Sequence, residues 1–259
     1  MRQRLWFNDT CLTDFGLRIS GDYTEKTPER LGEEVQVPGR SGAYWIGEGA
    51  WGNLEIEYPA YIFGNVRENL ARLRSILGAP DGYAELRDDY HPDEYRMVRY
   101  VSGLGEQVSV YADTAKFSLV FACKPQRYLV AGLRSLVMAE EEQSDARGDL
   151  ITDNPAVIKN PTGMQTRPML RVFYDDRTQG MTVTVGGTLF TIAPCGHYCI
   201  GIDLEARTCY YNGENLSRYV TVTVDGATAM DYPAFGDKTT VTRGTNVRAL
   251  QIYPRWWRL

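Results

Sequence analysis

The stretch "NLEIEYPAYIF", residues 53–63, alternates apolar and charged side chains, and this alternation decides the fold class. Leu54, Ile56 and Tyr58 face one way along an extended backbone, and the glutamates between them face the other way. A period of two is typical of a half-buried antiparallel strand. We therefore expect a mainly β protein in which one face of this strand lies on a core.

The next segment, "GNVRENLARLRSILGAP" (residues 64–80), changes to the period of a helix. Its apolar residues are spaced by four, three and four positions, at Val66, Leu70, Leu73 and Leu77. Asn65 is placed to cap the N-terminus, and Gly78 and Pro80 are stop signals. The pattern predicts one amphipathic helix, at about residues 65–77, whose apolar face covers a sheet.

Most of the remaining chain reads as short strands separated by Gly, Asn, Asp and Pro. Residues 1–131 are expected to form one β domain that carries the helix. Residues 132–160 contain the acidic, apolar-poor stretch "AEEEQSDARGD" and are interpreted as a connection whose first part could form an edge strand. Residues 161–259 hold hairpin patterns, such as the two runs around Gly186–Gly187, and are predicted to be a β-sandwich.

Composition excludes several classes of protein. The chain of 259 residues has a net charge of −5 and no long basic run, so duplex nucleic acid is not an expected partner. It lacks an apolar stretch of about 18 residues, so membrane insertion is not expected. The first residues lack the apolar core of a signal peptide, which predicts synthesis in a cytoplasm. Five cysteines do not suggest a disulfide framework.

Two motifs resemble functional sites but have simpler interpretations. "GEGAWG", residues 47–52, matches the dinucleotide pattern, but a strand pattern follows it where a helix is required, so we interpret it as a glycine-rich hairpin loop. "DDYHPDEYR", residues 88–96, gathers carboxylates around His91 in a possible acid–base or cation site. Its simpler interpretation is a solvated loop flanked by tyrosines.

The stretch "CGHYC" supplies candidate zinc ligands. Cys195, His197 and Cys199 alternate on one strand face, and Cys209 could lie opposite Cys199 across a hairpin. Thiolates and imidazole bind zinc, but side chains two positions apart on a strand are about 7 Å apart, too far to share one tetrahedral ion. Buried apolar cysteines are the preferred interpretation. No metal, cofactor or catalytic residue is predicted.

The last residues, "IYPRWWRL" (252–259), carry unusual aromatic surface for a chain end. Ile252 and Trp256 fall on one strand face and Trp257 on the other, while Pro254 marks an edge, a bulge or a strand end. Two interpretations stay open at this point. The segment is either a core strand with half-buried tryptophans, or a strand that leaves its sheet and docks on another domain or subunit.

Taken in order, these landmarks resemble a known family. The order is "DFGL", "VPGRSG", one helix, "FACKPQRYL", "NPTGMQTRP", "GIDLEARTCYYN" and a final "YPRWWRL". It resembles the distal tail proteins of long-tailed, non-contractile (siphovirus-type) bacteriophages, over nearly the whole chain. The order and spacing, together with the terminal "PRWW", carry the resemblance.

The resemblance implies a split-barrel-like N-terminal β domain with one helix, followed by a galectin-like β-sandwich. It implies a structural hub without enzymatic activity, located at the tail tip of the virion. Six copies would form a ring that joins the tail tube protein to tail-associated lysin, fibre or receptor-binding proteins, with DNA passing through its lumen. In some relatives the last residues return to the N-terminal domain.

The family role suggests interface residues in two places. Pro38, Gly39, Arg40 and Gly42 form either turn architecture near the ring or simply a tight hairpin. The terminal residues are expected to join the two domains, and they are Pro254, Arg255, Trp256 and Trp257. An acidic lumen lets DNA pass, and Glu48 and Asp88 are candidates to line it.

Two other classes of function compete with the hub. A galectin-like sandwich is able to bind sugars, so a carbohydrate-binding module used in host attachment is the alternative. A wall-degrading enzyme would need a paired-carboxylate or metal site, and none can be located in the sequence.

Overall fold

The computed structural model describes residues 3–21, 23–104, 108–109, 113–141 and 146–259. The chain divides into two compact units, one formed by Met1–Arg127 with Leu259 and the other by Tyr128–Arg258. Strands dominate both units, and the described residues contain one α-helix, which confirms the mainly β fold class.

The first unit is built on a curled, half-barrel sheet. Its strand order is β2-β1-β8-β9-β11-β7-β3, with β4 paired to β7 and β10 to β11. The strands are β1 (Leu5–Phe7), β2 (Thr10–Cys11), β3 (Leu17–Ile19), β4 (Thr24–Glu25), β5 (Arg30–Gln36), β6 (Ala43–Trp51), β7 (Leu54–Phe63), β8 (Ala84–Asp88), β9 (Glu94–Ser102), β10 (Val108–Ser109) and β11 (Thr114–Leu129). A short 3-10 helix covers Leu12–Phe15.

The core of the first unit follows the sequence pattern. Along β7 the predicted apolar positions are buried and the glutamates between them are exposed, so this prediction is confirmed. Helix α1 (Val66–Gly78) is also confirmed, and its four apolar residues pack in the same cluster as Leu54 and Ile56.

The two ends of α1 differ from the prediction. Asn65 has a left-handed backbone (φ 50°), and its side chain makes no capping hydrogen bond. The carboxylate of Asp113 takes this place, accepting hydrogen bonds from the backbone N–H groups of Asn65 at 2.8 Å and Val66 at 3.3 Å. Gly78 is the last helical residue and does not follow the helix. The helix is therefore capped by a residue that is distant in the sequence, and no local sequence pattern reveals such a cap.

Strands β5 and β6 form a separate two-stranded sheet. At its tip the Arg40 N–H donates to the Val37 carbonyl at 3.2 Å, and Gly39 has φ +80°. These values fit the type II turn expected for Pro38–Gly39, which requires a positive φ at the glycine.

The second unit is a sandwich of two sheets, with strand orders β13-β12-β24-β15-β18-β19-β20 and β14-β23-β16-β17-β21-β22. Residues of both sheets share one hydrophobic core. The strands are β12 (Leu136–Met138), β13 (Asp149–Ile151), β14 (Ala156–Lys159), β15 (Met169–Tyr174), β16 (Met181–Val185), β17 (Thr188–Ile192), β18 (Cys199–Asp203), β19 (Thr208–Tyr211), β20 (Glu214–Asn215), β21 (Val220–Val224), β22 (Ala227–Thr228), β23 (Lys238–Arg243) and β24 (Val247–Tyr253). A last short strand, β25 (Trp257–Arg258), belongs to neither sheet of the sandwich. Short 3-10 helices cover Val130–Leu133 and Ser217–Tyr219.

The stretch 132–160 differs from the expected connection. Its described residues include β12, β13 and β14, which are strands of the second unit, and the division between units falls after Arg127. Val137, Met138 and Ala139 are buried there. Three apolar residues are enough to form a short strand that lies between β13 and β24. In the sequence, the acidic stretch that follows them hides this strand pattern. Residues 142–145 of that stretch lie outside the described residues.

Within the described part of the chain, no helix is both long and apolar enough to cross a membrane.

Candidate functional site

The hairpin of β5 and β6, here called the arm (Arg30–Trp51), exposes a run of large apolar side chains. Three consecutive residues of β6 are exposed, with Tyr44 at 47%, Trp45 at 52% and Ile46 at 60%. A two-stranded sheet is marginally stable alone in water, and exposed apolar patches of this kind mark interaction sites. The arm therefore has the character of a surface that packs on another protein.

The two faces of the arm have different chemistry. Glu33 lies directly opposite Ile46, and Val35 lies opposite Tyr44, so these four side chains share one face. Trp45 is on the other face, where its ring covers Gly32, and a Cβ added to Gly32 would lie 2.6 Å from that ring. Glycine at this position is what lets the tryptophan lie flat across the hairpin.

The predicted interface residues Pro38, Gly39, Arg40 and Gly42 all lie at the tip of the arm, in exposed positions. Among the described residues, no hydrogen bond or ion pair joins the Arg40 side chain to a carboxylate or carbonyl. Its guanidinium instead lies 4.5 Å from the centre of the Tyr44 ring, in a cation–π contact that stiffens the tip. The role of this tip in a ring stays a prediction.

The motif "GEGAWG" lies within the arm and not in a loop. Its first five residues belong to β6, where the pairing register shifts and Gly49 has φ +72°, and Gly52 lies between β6 and β7. No helix N-terminus is available there for a pyrophosphate. Glu48 is exposed on the arm, whereas the Asp88 side chain is only 10% exposed, so Asp88 is not suited to line an open channel.

The cluster at residues 88–96 is a half-buried polar network and not a solvated loop. Asp88 accepts hydrogen bonds from the Tyr58 hydroxyl at 2.5 Å and from the His91 N–H at 2.9 Å. The His91 ring in turn lies 3.4 Å from the Tyr23 hydroxyl. The expectation of a solvated loop therefore holds only for Pro92 and Asp93, which are exposed, because Tyr58 and Tyr23 pack against Asp88 and His91.

Glu25 on β4 joins this network to two arginines. Its carboxylate accepts a hydrogen bond from Arg127 at 2.7 Å and bonds the guanidinium of Arg96, which is itself buried. Burial raises the pKa of Glu25, but the two guanidinium groups outweigh this effect and hold the pKa below its usual value. These charges neutralise one another, so the network is structural.

A cleft of about 420 Å³ beside Trp6 is the other acidic site of this unit. Three of the carboxylates that line it have partners in the same unit, since Glu85 is paired with Arg87, Asp89 is paired with Arg4, and Asp88 accepts the Tyr58 hydroxyl. Paired carboxylates of this kind are not arranged as a general acid and a general base.

The outer face of the first unit also holds a shallow groove of about 620 Å³, here called the Tyr61 groove. Its lining residues are Ser20, Pro59, Ala60, Tyr61, Lys116, Phe117 and Ser118. Tyr61 lies between Arg18 on one neighbouring strand and Lys116 on the other. Sequence reasoning missed this groove because its residues come from three separate strands.

The candidate metal ligands do not come together. Cys209 lies in the sandwich core opposite Ile202, whereas Cys199 packs against Phe173 in a different cluster. His197 precedes β18, stacks on Tyr211 and lies 3.1 Å from the carboxylate of Glu214. No group of three metal-ligating side chains forms among the residues that the structure describes. The expected alternation was wrong because the strand begins only at Cys199.

The terminal residues are anchored by several contacts in the second unit. The Pro254 carbonyl accepts from the Thr166 hydroxyl at 2.6 Å, and the Trp257 indole donates to the Gln165 carbonyl at 3.0 Å. Trp256 is 6% exposed and packs in the sandwich core.

Arg255 adds two hydrogen bonds to Asp203, at 2.9 and 2.8 Å. Trp256 therefore lies in the core of the second unit, but outside any strand, because β24 ends at Tyr253 and β25 begins at Trp257. The return of the last residues to the first unit stays a prediction.

The outer face of the seven-stranded sheet carries a cleft of about 290 Å³, here called the tyrosine cleft. Gly201 forms its floor, and three tyrosines, an arginine and an asparagine are among its walls, namely Tyr210, Tyr211, Tyr253, Arg171 and Asn212. Aromatic rings beside an arginine and an amide are suited to a small polar ligand such as a sugar. The sequence signal was the pair "YY" at 210–211.

The chain is similar over its length to solved structures of phage hub and baseplate proteins. One is the Dit protein (gp 19.1) of phage SPP1, described as a paradigm of the hub of the adsorption apparatus in phages that infect Gram-positive bacteria. It is 14% identical with a TM-score of 0.62, and the match covers 97% of this chain and 98% of that chain.

Two structures of the phage p2 baseplate in its activated conformation, one with Sr and one with Ca, give TM-scores of 0.53 and 0.54 at 12% and 11% identity. The matches cover 100% and 97% of this chain, and 98% of each matched chain. No family model matches the chain, and no curated protein matches it. The chain therefore shares the fold of phage hub and baseplate proteins.

Proposed function

We propose that the protein is the structural hub of a phage tail tip and has no enzymatic activity. The observation that carries the proposal is the arm, which exposes Tyr44, Trp45 and Ile46 on a sheet of only two strands. Such a surface is costly in an isolated chain and useful in an assembly. The shared fold with phage hub and baseplate proteins supports the same role.

In this proposal six copies form a closed ring around a lumen through which DNA passes. A closed ring requires two different, complementary patches on each copy, since a single self-complementary patch produces only dimers. The ring joins the tail tube protein on one side to tail-associated lysin, fibre or receptor-binding proteins on the other. The protein is then made in the host cytoplasm and is located at the virion tail tip of a siphovirus-type phage.

The experiment is a mass measurement of the full-length protein at micromolar concentration, with negative-stain images of the main species. A six-fold ring with an open centre is the expected result. A monomer, both alone and in the presence of the tail tube protein, would overturn the proposal.

The tyrosine cleft favours a second function, sugar binding during host attachment. Its three tyrosines and Arg171 are suited to stack on a sugar ring and bond its hydroxyl groups. A glycan array with the wild type and with Tyr253→Ala tests this function. Binding that is lost in the variant supports it, and an array without hits leaves only the hub.

A further inference from the structure

The tyrosine cleft contains a positive charge, and this charge narrows the class of sugar that the cleft is suited to bind. We propose that the cleft takes a sugar that bears a carboxylate or a phosphate, and that Arg171 binds this negatively charged group. The inference rests on the second proposed function, sugar binding at this cleft, and goes beyond it by naming the chemical class of the sugar.

Three neighbouring strands place the two sides of the cleft in one row on the outer face of the sheet. Arg171 on β15 lies directly opposite Gly201 on β18, and Gly201 lies directly opposite Tyr210 on β19. Residues directly opposite one another share a face of the sheet. The glycine therefore leaves a gap between the guanidinium and the tyrosine.

The ring of Tyr210 lies across this gap. A Cβ added to Gly201 would lie 3.4 Å from the ring, and the Tyr210 hydroxyl donates to the sulfur of Met169 on β15 at 3.3 Å. The ring thus crosses β18 and is held at its far end. A half-buried aromatic ring in this position presents one face on which a sugar ring can stack.

The charge of Arg171 is available to a ligand. Among the residues that the structure describes, its contacts include the Tyr253 side chain, by a hydrogen bond, and the Phe173 ring, whose centre is 5.7 Å away, but no carboxylate pairs with it. Asp203, the acidic residue of β18, accepts two hydrogen bonds from Arg255 instead. Arginine stays protonated throughout the physiological pH range, so the cleft keeps its positive charge.

The polar groups of the cleft favour an anion over a neutral hydroxyl. A guanidinium only donates hydrogen bonds, whereas tyrosine hydroxyls and the Asn212 amide both donate and accept. The lining residues include no carboxylate, although the chain as a whole has a net charge of −5. A carboxylate or phosphate only accepts, and its hydrogen bonds with a guanidinium are about twice as strong as neutral ones.

The size of the cleft suits one sugar unit. Its volume of about 290 Å³ is near the lower end of the range for small-molecule pockets. Neighbouring strands are about 5 Å apart, so the backbones of Arg171 and Tyr210 are separated by roughly 10 Å. A sugar ring stacked on Tyr210, with one charged substituent directed at Arg171, bridges such a distance.

Saturation-transfer NMR of the full-length protein tests the inference with monosaccharides that differ at a single carbon atom. One series is glucose, glucuronate and glucose 6-phosphate, and the other is the corresponding set from galactose. At low salt, at least one charged sugar should bind about tenfold or more tightly than its neutral parent, and high salt should reduce the difference. The uronates and the phosphates distinguish the two sources of the negative charge.

Variants of Arg171 locate the anion. Arg171→Gln should reduce the affinity for charged sugars to that of the neutral parent, and Arg171→Lys should keep part of the preference because it retains the charge. Arg218→Gln is the matched control, since Arg218 also lies beside a tyrosine, 4.9 Å from the centre of the Tyr219 ring, but does not line the cleft. The control should bind like the wild type, and circular dichroism checks that each variant keeps its fold.

The outcomes separate the inference from the proposed function. A wild type that binds neutral and charged sugars equally well would overturn the inference and leave sugar binding intact. The inference would also fail if Arg171→Gln kept the full preference for charged sugars, because the anion would then bind elsewhere. Binding of no sugar in either series would overturn the inference as well, and a glycan array without hits would overturn the second function with it, while the hub would be unaffected.

Discussion

At the scale of single residues, the strongest constraints are ion pairs shielded from water. Glu25 lies between Arg96 and Arg127, and Asp203 lies against Arg255. Burial raises the pKa of Asp203, but the hydrogen bonds from Arg255 reverse this and lower it. Removing one member of such a pair leaves the other charge poorly solvated, which costs more than the pair itself contributes.

Glu25→Gln should destabilise the first unit by about 2 kcal/mol at neutral pH, because two guanidinium groups lose their acceptor. Since folding lowers the pKa of Glu25 from its ordinary value of 4.5, its contribution is fully present above pH 4.5 and is lost as pH falls through the lowered value. Urea unfolding from neutral pH into the acid range measures the difference between the two proteins. A difference that grows toward acid pH would contradict this assignment.

Arg255→Lys should destabilise the second unit by roughly 1 kcal/mol, because lysine keeps the charge but loses the two-pronged contact with Asp203. Arg207→Lys is the matched control, since Arg207 and its partner Asp231 are exposed at 49% and 72%. Such a surface pair contributes little, so the control should change by less than about 0.5 kcal/mol. Urea unfolding measures the free energy of unfolding of both variants. Equal losses of this free energy would show that the contact of Arg255 with Asp203 contributes no more than an exposed surface pair.

At the scale of elements, the sequence predicted most of what is periodic. The alternation in β7 and the spacing in α1 depend only on near neighbours, so they could be found from residues 53–80 alone. The cap of α1 and the Tyr61 groove could not be predicted, because each depends on residues brought together from distant strands. The strands within residues 132–160 were not predicted, because only three consecutive apolar residues mark the first of them and the residues that follow are mostly acidic and polar.

Asp113→Ala should cost about 1 kcal/mol, because it removes the acceptor at the N-terminus of α1. Glu68→Ala is the control, since Glu68 forms only an exposed pair with Arg72 and should cost about 0.5 kcal/mol or less. Thermal unfolding of both variants measures the difference. If the Glu68 variant proves the less stable of the two, Asp113 is not the effective cap.

At the scale of the whole molecule, the candidate site was only partly visible in the sequence. The tip of the arm was recognised from Pro38 and Gly39, but the exposure of the three residues after Ala43 was not. Apolar side chains on both faces of a strand are expected when both faces are covered, and no described residue of the chain covers the exposed side chains of the arm. The proposed ring depends on this surface.

Ile46→Asp should abolish the ring and leave the unfolding temperature of the monomer unchanged, because Ile46 is 60% exposed in the isolated chain. Val157→Asp, at a position 56% exposed on the second unit, is the matched control and should assemble normally. Mass photometry and thermal unfolding give the two readouts. An Ile46→Asp ring as stable as the wild type would remove the arm from the interface.

The glutamates of the arm have a consequence for the chain before it assembles. A two-stranded hairpin with free edges and aromatic residues is a template for uncontrolled aggregation, and charged side chains on such strands oppose it. Glu33, Glu34 and Glu48 place three negative charges on the arm. They would keep newly made subunits apart from one another until the apolar side chains of the arm are covered by assembly.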